Sequence, residues 1–425
     1  MNILKIIHGY PPLYNAGSEV YSQSVCEEFS KEHKVSVFTR EENFYAPDFS
    51  IRHESRHRNL DLYIVNNPQG KDGYKHPQMD AAFEKLLSEI KPDIAYIGHL
   101  NHLSTGLVDV LAAHKIPVVF MLHDYWLMCP RGQFLTRSIG LENNFQLCDK
   151  QENGKCARDC YRVYFSGTEQ ESLDEAAWTD WVCRRMEVTR SLVDKVNLFV
   201  APAYYLRNRF VRDFGIPENK IIYLDYGFPT HYLASPRPTA QSRIFTFGYI
   251  GTHIPAKGVN MLIDAFKRIG QPVALKIFGK DNGQSTNALK KMAIDAKNPI
   301  EFCGEYRNQD IVQKVFETVD CIVVPSIWAE NSPLVIHEAQ QCRIPVITAD
   351  FGGMAEYVEH LTNGLLFRHR DSNSLYEQML WAANHPKEMK ALGQHGYLYS
   401  VDGQVVNIEE HCNQLIKIFE NEMRK

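Results

Sequence analysis

The stretch SIWAENSPLVIHE, residues 326–338, decides the fold of this chain, because it follows a strand-like run and opens a helix. The preceding run, Cys321–Pro325, is short, apolar and β-branched, which is typical of a strand buried on both faces of a parallel sheet. Ser332 suits the N-cap position, and Pro333 suits the first helical position because proline has no N–H to leave unpaired. The stretch therefore predicts a strand, a loop and a helix N-terminus in direct succession.

This turn offers two kinds of binding group. The amides of Leu334 and Val335 would be free at the helix N-terminus, where a phosphate is stabilised. Glu330 and Glu338 bracket the turn, and carboxylates repel phosphate but accept hydrogen bonds from several hydroxyls. An isolated pair of glutamates at this spacing also occurs in ordinary strand-loop-helix units. If it binds a ligand, that ligand carries a phosphate between two hydroxylated ends, which is the shape of a nucleotide sugar.

The longer segment AENSPLVIHEAQQCRIPVITADFGGMAEYVEHLTNGLLF, residues 329–367, resembles the nucleotide-sugar signature of the family 4 retaining glycosyltransferases. Members of that family have the two-domain GT-B fold, and the resemblance is to those of bacterial cell-surface polysaccharide synthesis. It implies that Glu330 holds the hydroxyls of the sugar and Glu338 those of the ribose. The implied donor-binding residues of this segment are Glu330, Asn331, Ser332, Pro333, Leu334, Val335 and Glu338.

A second loop, GTHIPAKG at residues 251–258, follows another strand-like run and resembles the diphosphate loop of the family. The resemblance assigns Gly251 and Thr252 to the donor site and makes Lys257 the cation that neutralises the leaving nucleotide. Many family members carry an arginine where Thr252 stands. The negative charge must therefore rest on Lys257 and the helix amides. The pair Gly352-Gly353 is expected to let backbone approach the sugar.

Two N-terminal motifs also resemble the family. The loop PPLYNAGSE, residues 11–19, has one glycine, Gly17, where relatives have a pair that approaches the donor phosphate or the acceptor. In LHDYWLMCP, residues 122–130, His123 resembles the histidine near the anomeric carbon of the donor. His99 and His102 follow the preceding strand-like run and are candidates for the acceptor side.

Both halves of the 425-residue chain alternate strand-like and helix-like segments, which predicts the α/β class with parallel sheets. With the resemblance, this gives two Rossmann-like domains facing across a cleft. We expect an N-terminal domain at 1–230, a linker at 231–243 and a nucleotide-sugar domain at 244–403. The helical segment 404–425 crosses back to the N-terminal domain in the family.

Four cysteines, Cys129, Cys148, Cys156 and Cys160, lie in a polar insert at about 126–170 that has few apolar residues to form a core. In a reducing compartment such a cluster favours a metal over disulfides, and four thiolates suit tetrahedral zinc. The spacing lacks the paired C-x2-C motifs of an obvious zinc site. Structural zinc, free thiols and disulfides are all compatible with the pattern.

Composition excludes several classes of protein. A formal net charge of −5 gives no basic footprint for nucleic acid, and no apolar run is long enough to span a bilayer. The N-terminus reads as a first strand rather than a signal peptide, so we expect a cytoplasmic protein. The segment 204–214 places three arginines among apolar residues, which is compatible with contact at the inner face of a membrane or with a solvated helix face.

These observations predict a retaining glycosyltransferase that moves a sugar from a nucleoside diphosphate, UDP or GDP, to an acceptor hydroxyl. The catalytic candidates are His123, Lys257 and Glu330. No covalent nucleophile or catalytic metal is expected, and a lipid-linked or free sugar is the expected acceptor. The alternatives are a nucleotide-sugar epimerase or sugar phosphorylase of the same fold, and a catalytically silent sugar-nucleotide-binding scaffold.

Overall fold

The computed structural model describes residues 1–67, 73–137, 145–233 and 244–425. The chain forms two compact units, one of Met1–Gly227 with Ile408–Lys425 and one of Phe228–Asn407. Each contains a largely parallel sheet with helices, so the predicted α/β class is confirmed. The predicted linker at 231–243 lies mostly outside the described residues.

The first unit is built on an eight-stranded sheet. Its strands are β1 Asn2–Ile6, β2 Lys34–Glu41, β3 Ile51–His57, β4 Leu60–Asn66, β5 Ile94–Ile97, β6 Val118–Met121, β7 Leu198–Ala201 and β8 Ile221–Tyr223. The helices between them are α1 Gly17–Phe29, α2 Pro77–Ile90, α3 Gly106–Ala113, α4 Asn153–Tyr161, α5 Glu171–Lys195 and α6 Tyr204–Arg209. After α6 the chain continues as one π turn, Phe210–Phe214, so the predicted helix at 204–214 is regular only in its first half.

The strand order of this sheet is β3-β4-β2-β1-β5-β6-β7-β8. All neighbours are parallel except β3, which pairs antiparallel to β4 at one edge. The sequence of β3, IRHESRH, is largely exposed and charged, which protects an edge strand from pairing with other chains. The order reverses between β1 and β5, and in open α/β sheets ligands bind beyond the carboxyl ends of the strands at such a switch point.

The second unit contains a six-stranded parallel sheet in the order β11-β10-β9-β12-β13-β14. Its strands are β9 Phe245–Ile250, β10 Val273–Phe278, β11 Ile300–Gly304, β12 Cys321–Val324, β13 Val346–Ala349 and β14 Gly364–Phe367. The helices are α7 Val259–Lys267, α8 Gln284–Ala293, α9 Ile311–Lys314, α10 Leu334–Gln341, α11 Ser372–Asn384 and α12 Pro386–Gly393. Its switch point lies between β9 and β12, and every residue of β12 is buried, as its apolar sequence predicted.

The last helix, α13 Ile408–Arg424, belongs to the first unit and packs against α1. Phe419 is fully buried, and its ring centroid lies 5.7 Å from that of Phe29 and 5.4 Å from that of Tyr96. His411 Nε2 lies 2.7 Å from the hydroxyl of Tyr21 on α1. In the described parts of the chain, no helix combines the length and apolar character needed to cross a membrane.

Candidate active site

In the second unit, the two loops that follow β9 and β12 touch at the switch point. The amide of Ile327 donates to the carbonyl of Ala256 at 3.0 Å. Gly258 has φ of +69°, and a Cβ there would lie 2.0 Å from the carbonyl oxygen of Pro325. Only glycine combines this backbone conformation with this contact. The packing brings together two motifs that are about 70 residues apart in sequence.

Lys257 and Glu330, predicted separately as donor-site residues, form an ion pair. Lys257 Nζ lies 2.6 Å from Glu330 Oε1, and the hydroxyl of Ser326 donates to the same oxygen at 2.5 Å. The Glu330 side chain is 5% exposed and that of Lys257 is 30% exposed. The lysine and the serine therefore compensate a buried carboxylate while the ammonium group keeps access to solvent.

Gly352 and Gly353 pack directly against the backbone of the loop that carries Glu330. The amide of Gly353 donates to the carbonyl of Glu330 at 2.7 Å. A Cβ on Gly353 would lie 1.4 Å from the carbonyl oxygen of Asn331. The observed role of these glycines is thus close approach to the protein's own backbone, and this contact fixes the position of the buried carboxylate.

Helix α10 begins one residue later than predicted. Pro333 is the N-cap, with an extended ψ of 115°, and Leu334 is the first helical residue. The prediction that Ser332 caps the helix is therefore wrong, because the extended backbone of Pro333 delays the first helical turn. The amides of Leu334 and Val335 still occupy the first two helical positions, where no intrahelical acceptor exists. His337, fully buried in this helix, lies with Nδ1 3.2 Å from the carbonyl of Pro333.

Glu338 lies in the second turn of α10 and is partly exposed. Burial raises the pKa of its carboxyl to about 7, although the charge of His337 opposes the shift. Its side chain forms no hydrogen bond or ion pair with any residue in the described ranges. Tyr306 is its neighbour: burial, and then the charge of Glu338, raises the pKa of the phenol. A carboxylate without partners next to a helix N-terminus can accept hydrogen bonds from a ligand.

The remaining predicted donor residues line the start of the first loop. Gly251 follows β9 directly, with its amide 3.1 Å from the carbonyl of Phe278. The hydroxyl of Tyr249 donates to the carbonyl of Thr252 at 3.1 Å. This hydrogen bond uses the backbone carbonyl of Thr252, so the side-chain hydroxyl of Thr252 takes no part in it.

His123 lies at the carboxyl end of β6 in the first unit, as predicted, and is 9% exposed. Its Nδ1 is 2.6 Å from the hydroxyl of Tyr226, and the two rings are stacked. Burial lowers the pKa of His123 well below its usual range, and the charges of Lys5, His99 and His8 lower it further. This histidine is therefore neutral at physiological pH and acts as a hydrogen-bonding group.

The candidates His99 and His102 follow β5. His99 Nε2 is 3.2 Å from the carboxylate of Asp124, and its Nδ1 accepts from the amide of Asn101. His102 has a positive φ of 59°. Burial, with the charge of Arg40, lowers its pKa to about 4.

Sequence reasoning missed the acidic partners in this region. Glu19 lies 3.3 Å from His8, and the rings of His8 and His99 are 4.4 Å apart. Burial opposes ionisation of Glu19, but the hydrogen bond and charge of His8 lower its pKa to about 2. Its position as the last residue of the predicted N-terminal loop, 11–19, was the available signal. Gly17, predicted in that loop, is the first residue of α1 and lies two positions before Glu19.

Comparison with known proteins identifies the family to which this chain is similar. Residues 16–231 match the family model described as Glycosyltransferase Family 4, and residues 244–385 match that of the glycosyl transferases group 1. An uncharacterised glycosyltransferase of Methanocaldococcus jannaschii is 33% identical over 157 residues, which are 37% of this chain and 43% of that protein. The chain thus spans less than half of that relative's length.

Two further proteins are informative. A GDP-mannose-dependent monoacylated α-(1-6)-phosphatidylinositol monomannoside mannosyltransferase of Corynebacterium glutamicum is 30% identical over 34% of this chain and 39% of its own. The crystal structure of Anabaena HepE with UDP-glucose superposes with a TM-score of 0.67 at 17% identity, covering 99% of this chain and all of the other. This likeness supports the GT-B fold. The family match covers more than half of the chain, and the chain therefore belongs to glycosyltransferase family 4.

Proposed function

We propose that this chain transfers a glycosyl group from a nucleoside diphosphate sugar to an acceptor hydroxyl, with retention of the anomeric configuration. The observation that carries the proposal is the cluster at the switch point of the second unit. There, two adjoining loops carry one cation and one buried carboxylate, and helix α10, which follows the second loop, adds its N-terminus and one unpartnered carboxylate. Those groups are complementary to the three parts of a nucleotide sugar, which are the diphosphate, the ribose and the sugar.

The diphosphate is the part that needs positive charge. Cleavage of the anomeric C–O bond leaves negative charge on the departing nucleotide, and its stabilisation is the main catalytic demand. Lys257 supplies one full charge, and the amides of Leu334 and Val335 supply the partial charge of the α10 N-terminus. Because these groups belong to the protein, we propose that transfer needs no divalent metal and survives EDTA.

The two glutamates bind different ends of the donor in this proposal. Glu338 accepts hydrogen bonds from the ribose hydroxyls, which would restore its charged form. Glu330 keeps Oε1 for Lys257 and Ser326 and offers Oε2 to hydroxyls of the sugar. Both contacts fix the donor in its reactive geometry. His123, in the first unit, is proposed as a neutral hydrogen-bond partner of a sugar hydroxyl.

The base, sugar and acceptor are proposed from the relatives. UDP and GDP are the leading nucleotides, since one relative is named for GDP-mannose and HepE was crystallised with UDP-glucose. A lipid-linked sugar in cell-surface polysaccharide or glycolipid synthesis is the proposed acceptor, at the inner face of the membrane. The arginine-rich segment gives this setting little support, because Arg209 and Arg212 both pair with Asp213.

A transfer assay tests the proposal. Purified protein is incubated with UDP- or GDP-sugars and bacterial lipid extract, with and without EDTA, and free nucleotide and glycosylated lipid are quantified. Nucleotide release that depends on acceptor and is lost in Glu338→Ala supports transfer. An altered sugar on an intact nucleotide indicates an epimerase, and sugar phosphate formed only with inorganic phosphate indicates a phosphorylase. Donor binding without any turnover supports the scaffold alternative.

A further inference from the structure

The four cysteines of the insert converge on one small cavity in the first unit. They come from three separate segments of chain, and together they form much of the lining of a cavity of about 10 Å³. This is close to the volume that a single water molecule requires. The cavity therefore has room for one ion. The cysteines are Cys129, Cys148, Cys156 and Cys160.

Backbone hydrogen bonds hold each cysteine in place around this cavity. The amide of Cys129 donates to Tyr125 O at 2.7 Å, and that of Cys148 donates to Phe134 O at 2.8 Å. Cys156 and Cys160 are four residues apart on α4, so their side chains share one helix face. The four cysteines thus border one cavity, although 18 residues separate the first two in sequence.

Charge gives an independent indication that an anion belongs here. Arg185 is 1% exposed, and its guanidinium donates to the carbonyl of Trp126. Burial lowers the pKa of Arg185, and the carboxylate of Asp124 is among the charges that oppose this shift. Arg131 also borders the cavity. Within the described ranges neither arginine forms an ion pair with a carboxylate. Arg131 is half-buried, whereas Arg185 is fully buried, and a buried cation without a close anion is costly.

We propose that Cys129, Cys148, Cys156 and Cys160 bind one structural zinc ion. Four thiolates around Zn²⁺ carry a net charge of −2, which would compensate the two arginines. Four thiol protons pass to solvent on binding, and no group is oxidised or reduced.

Binding requires the thiols to move inward. As the side chains stand, no three histidine, cysteine, aspartate or glutamate residues in the described ranges are grouped to hold a metal ion. The Zn–S distance of about 2.3 Å must be reached by side-chain rotation from the cavity wall. Because all four coordination positions are then filled, the ion has no open position for chemistry and ties α4 to the segment after β6.

Metal analysis of the purified full-length protein tests this proposal. We expect about one zinc per chain by mass spectrometry after gel filtration. Cys156→Ser should lose most of it, whereas Cys183→Ser, outside the cavity, should retain it. In the wild-type protein, titration with a mercurial reagent should release the zinc as the four cysteine thiols react. This measurement tests the proposal even if Cys156→Ser does not fold. Cobalt substitution should give thiolate-to-metal charge-transfer bands.

Three outcomes would overturn the proposal. The first is metal-free wild-type protein whose thiols all react with Ellman's reagent after unfolding. The second is a mass that shows disulfides among the four cysteines, and the third is iron with sulfide in place of zinc. None of these outcomes depends on whether the protein transfers sugars, because metal content is measured without substrate.

Discussion

Donor binding should depend on pH through Glu338. Its carboxyl has a pKa of about 7 in the ligand-free protein. A carboxylate that accepts hydrogen bonds from two ribose hydroxyls is stabilised in its charged form, so binding selects the deprotonated protein. That form is present above pH 7 and is lost as the pH falls through 7. Donor affinity should therefore weaken on acidification.

The size of the effect follows from the charged fraction. With a pKa of about 7, roughly nine tenths of the Glu338 carboxyls are charged at pH 8 and roughly one tenth at pH 6. The apparent dissociation constant scales inversely with the competent fraction, so it should rise about tenfold from pH 8 to pH 6. Burial lowers the pKa of His369 in the same unit to about 4, so this imidazole does not change its charge between pH 8 and pH 6.

Isothermal titration with UDP-glucose and GDP-mannose checks this prediction. A nucleotide sugar is preferred to a free diphosphate, because its phosphates carry no proton that titrates near pH 7. Titrations in buffers of different ionisation enthalpy should show that about half a proton is released per donor bound at pH 7. Glu338→Gln should bind more weakly and with no dependence on pH. A flat wild-type profile, or an unchanged slope in Glu338→Gln, would refute the assignment of Glu338 to the ribose.

Three further predictions concern the supports of the site. Lys257→Met should leave Glu330 buried without its cation, costing about 2–3 kcal/mol of unfolding free energy in urea titration and slowing turnover at least ~100-fold. Adding Glu330→Gln should recover stability but not turnover, and recovery of both would contradict the catalytic role. Gly353→Ala should cost about 1–3 kcal/mol and weaken donor binding, whereas Gly270→Ala, with open space at its Cβ, should change neither. Phe419→Ala should cost about 3–5 kcal/mol by thermal and urea unfolding, and a loss below about 1 kcal/mol would show that α13 contributes little to the first unit.

The strands were predictable where burial dictates a continuous apolar run. β6 and β12 are fully buried, and the continuous apolar runs at 117–122 and 321–325 predict a strand at each. β3 was missed because it is an exposed edge strand whose charged sequence carries no apolar period. β14, the sequence GLLF, was missed because it begins with glycine and has no β-branched residue, unlike β6 and β12.

The sequence predicted which residues belong to the candidate site but not which contacts they make with each other. The sequence motif indicated Lys257 and Glu330 as separate ligand groups, but their ion pair depends on the tertiary contact between Gly258 and Pro325. The raised pKa of Glu338 likewise arises from burial, which no local pattern encodes. The start of α10 was misplaced by one residue because both Ser332 and Pro333 are good residues at a helix start, and only the backbone angles of Pro333 decide between them.

Hydrogen–deuterium exchange with and without a nucleotide sugar tests the central claim most directly. If the donor binds at the switch point of the second unit, amide exchange should slow in peptides covering residues 251–258 and 326–341. The amides of Leu334 and Val335 should be among those protected. Glu338→Ala should lose this protection at the same donor concentration. Protection elsewhere with no change in these two segments, while donor binding is independently confirmed, would contradict the account.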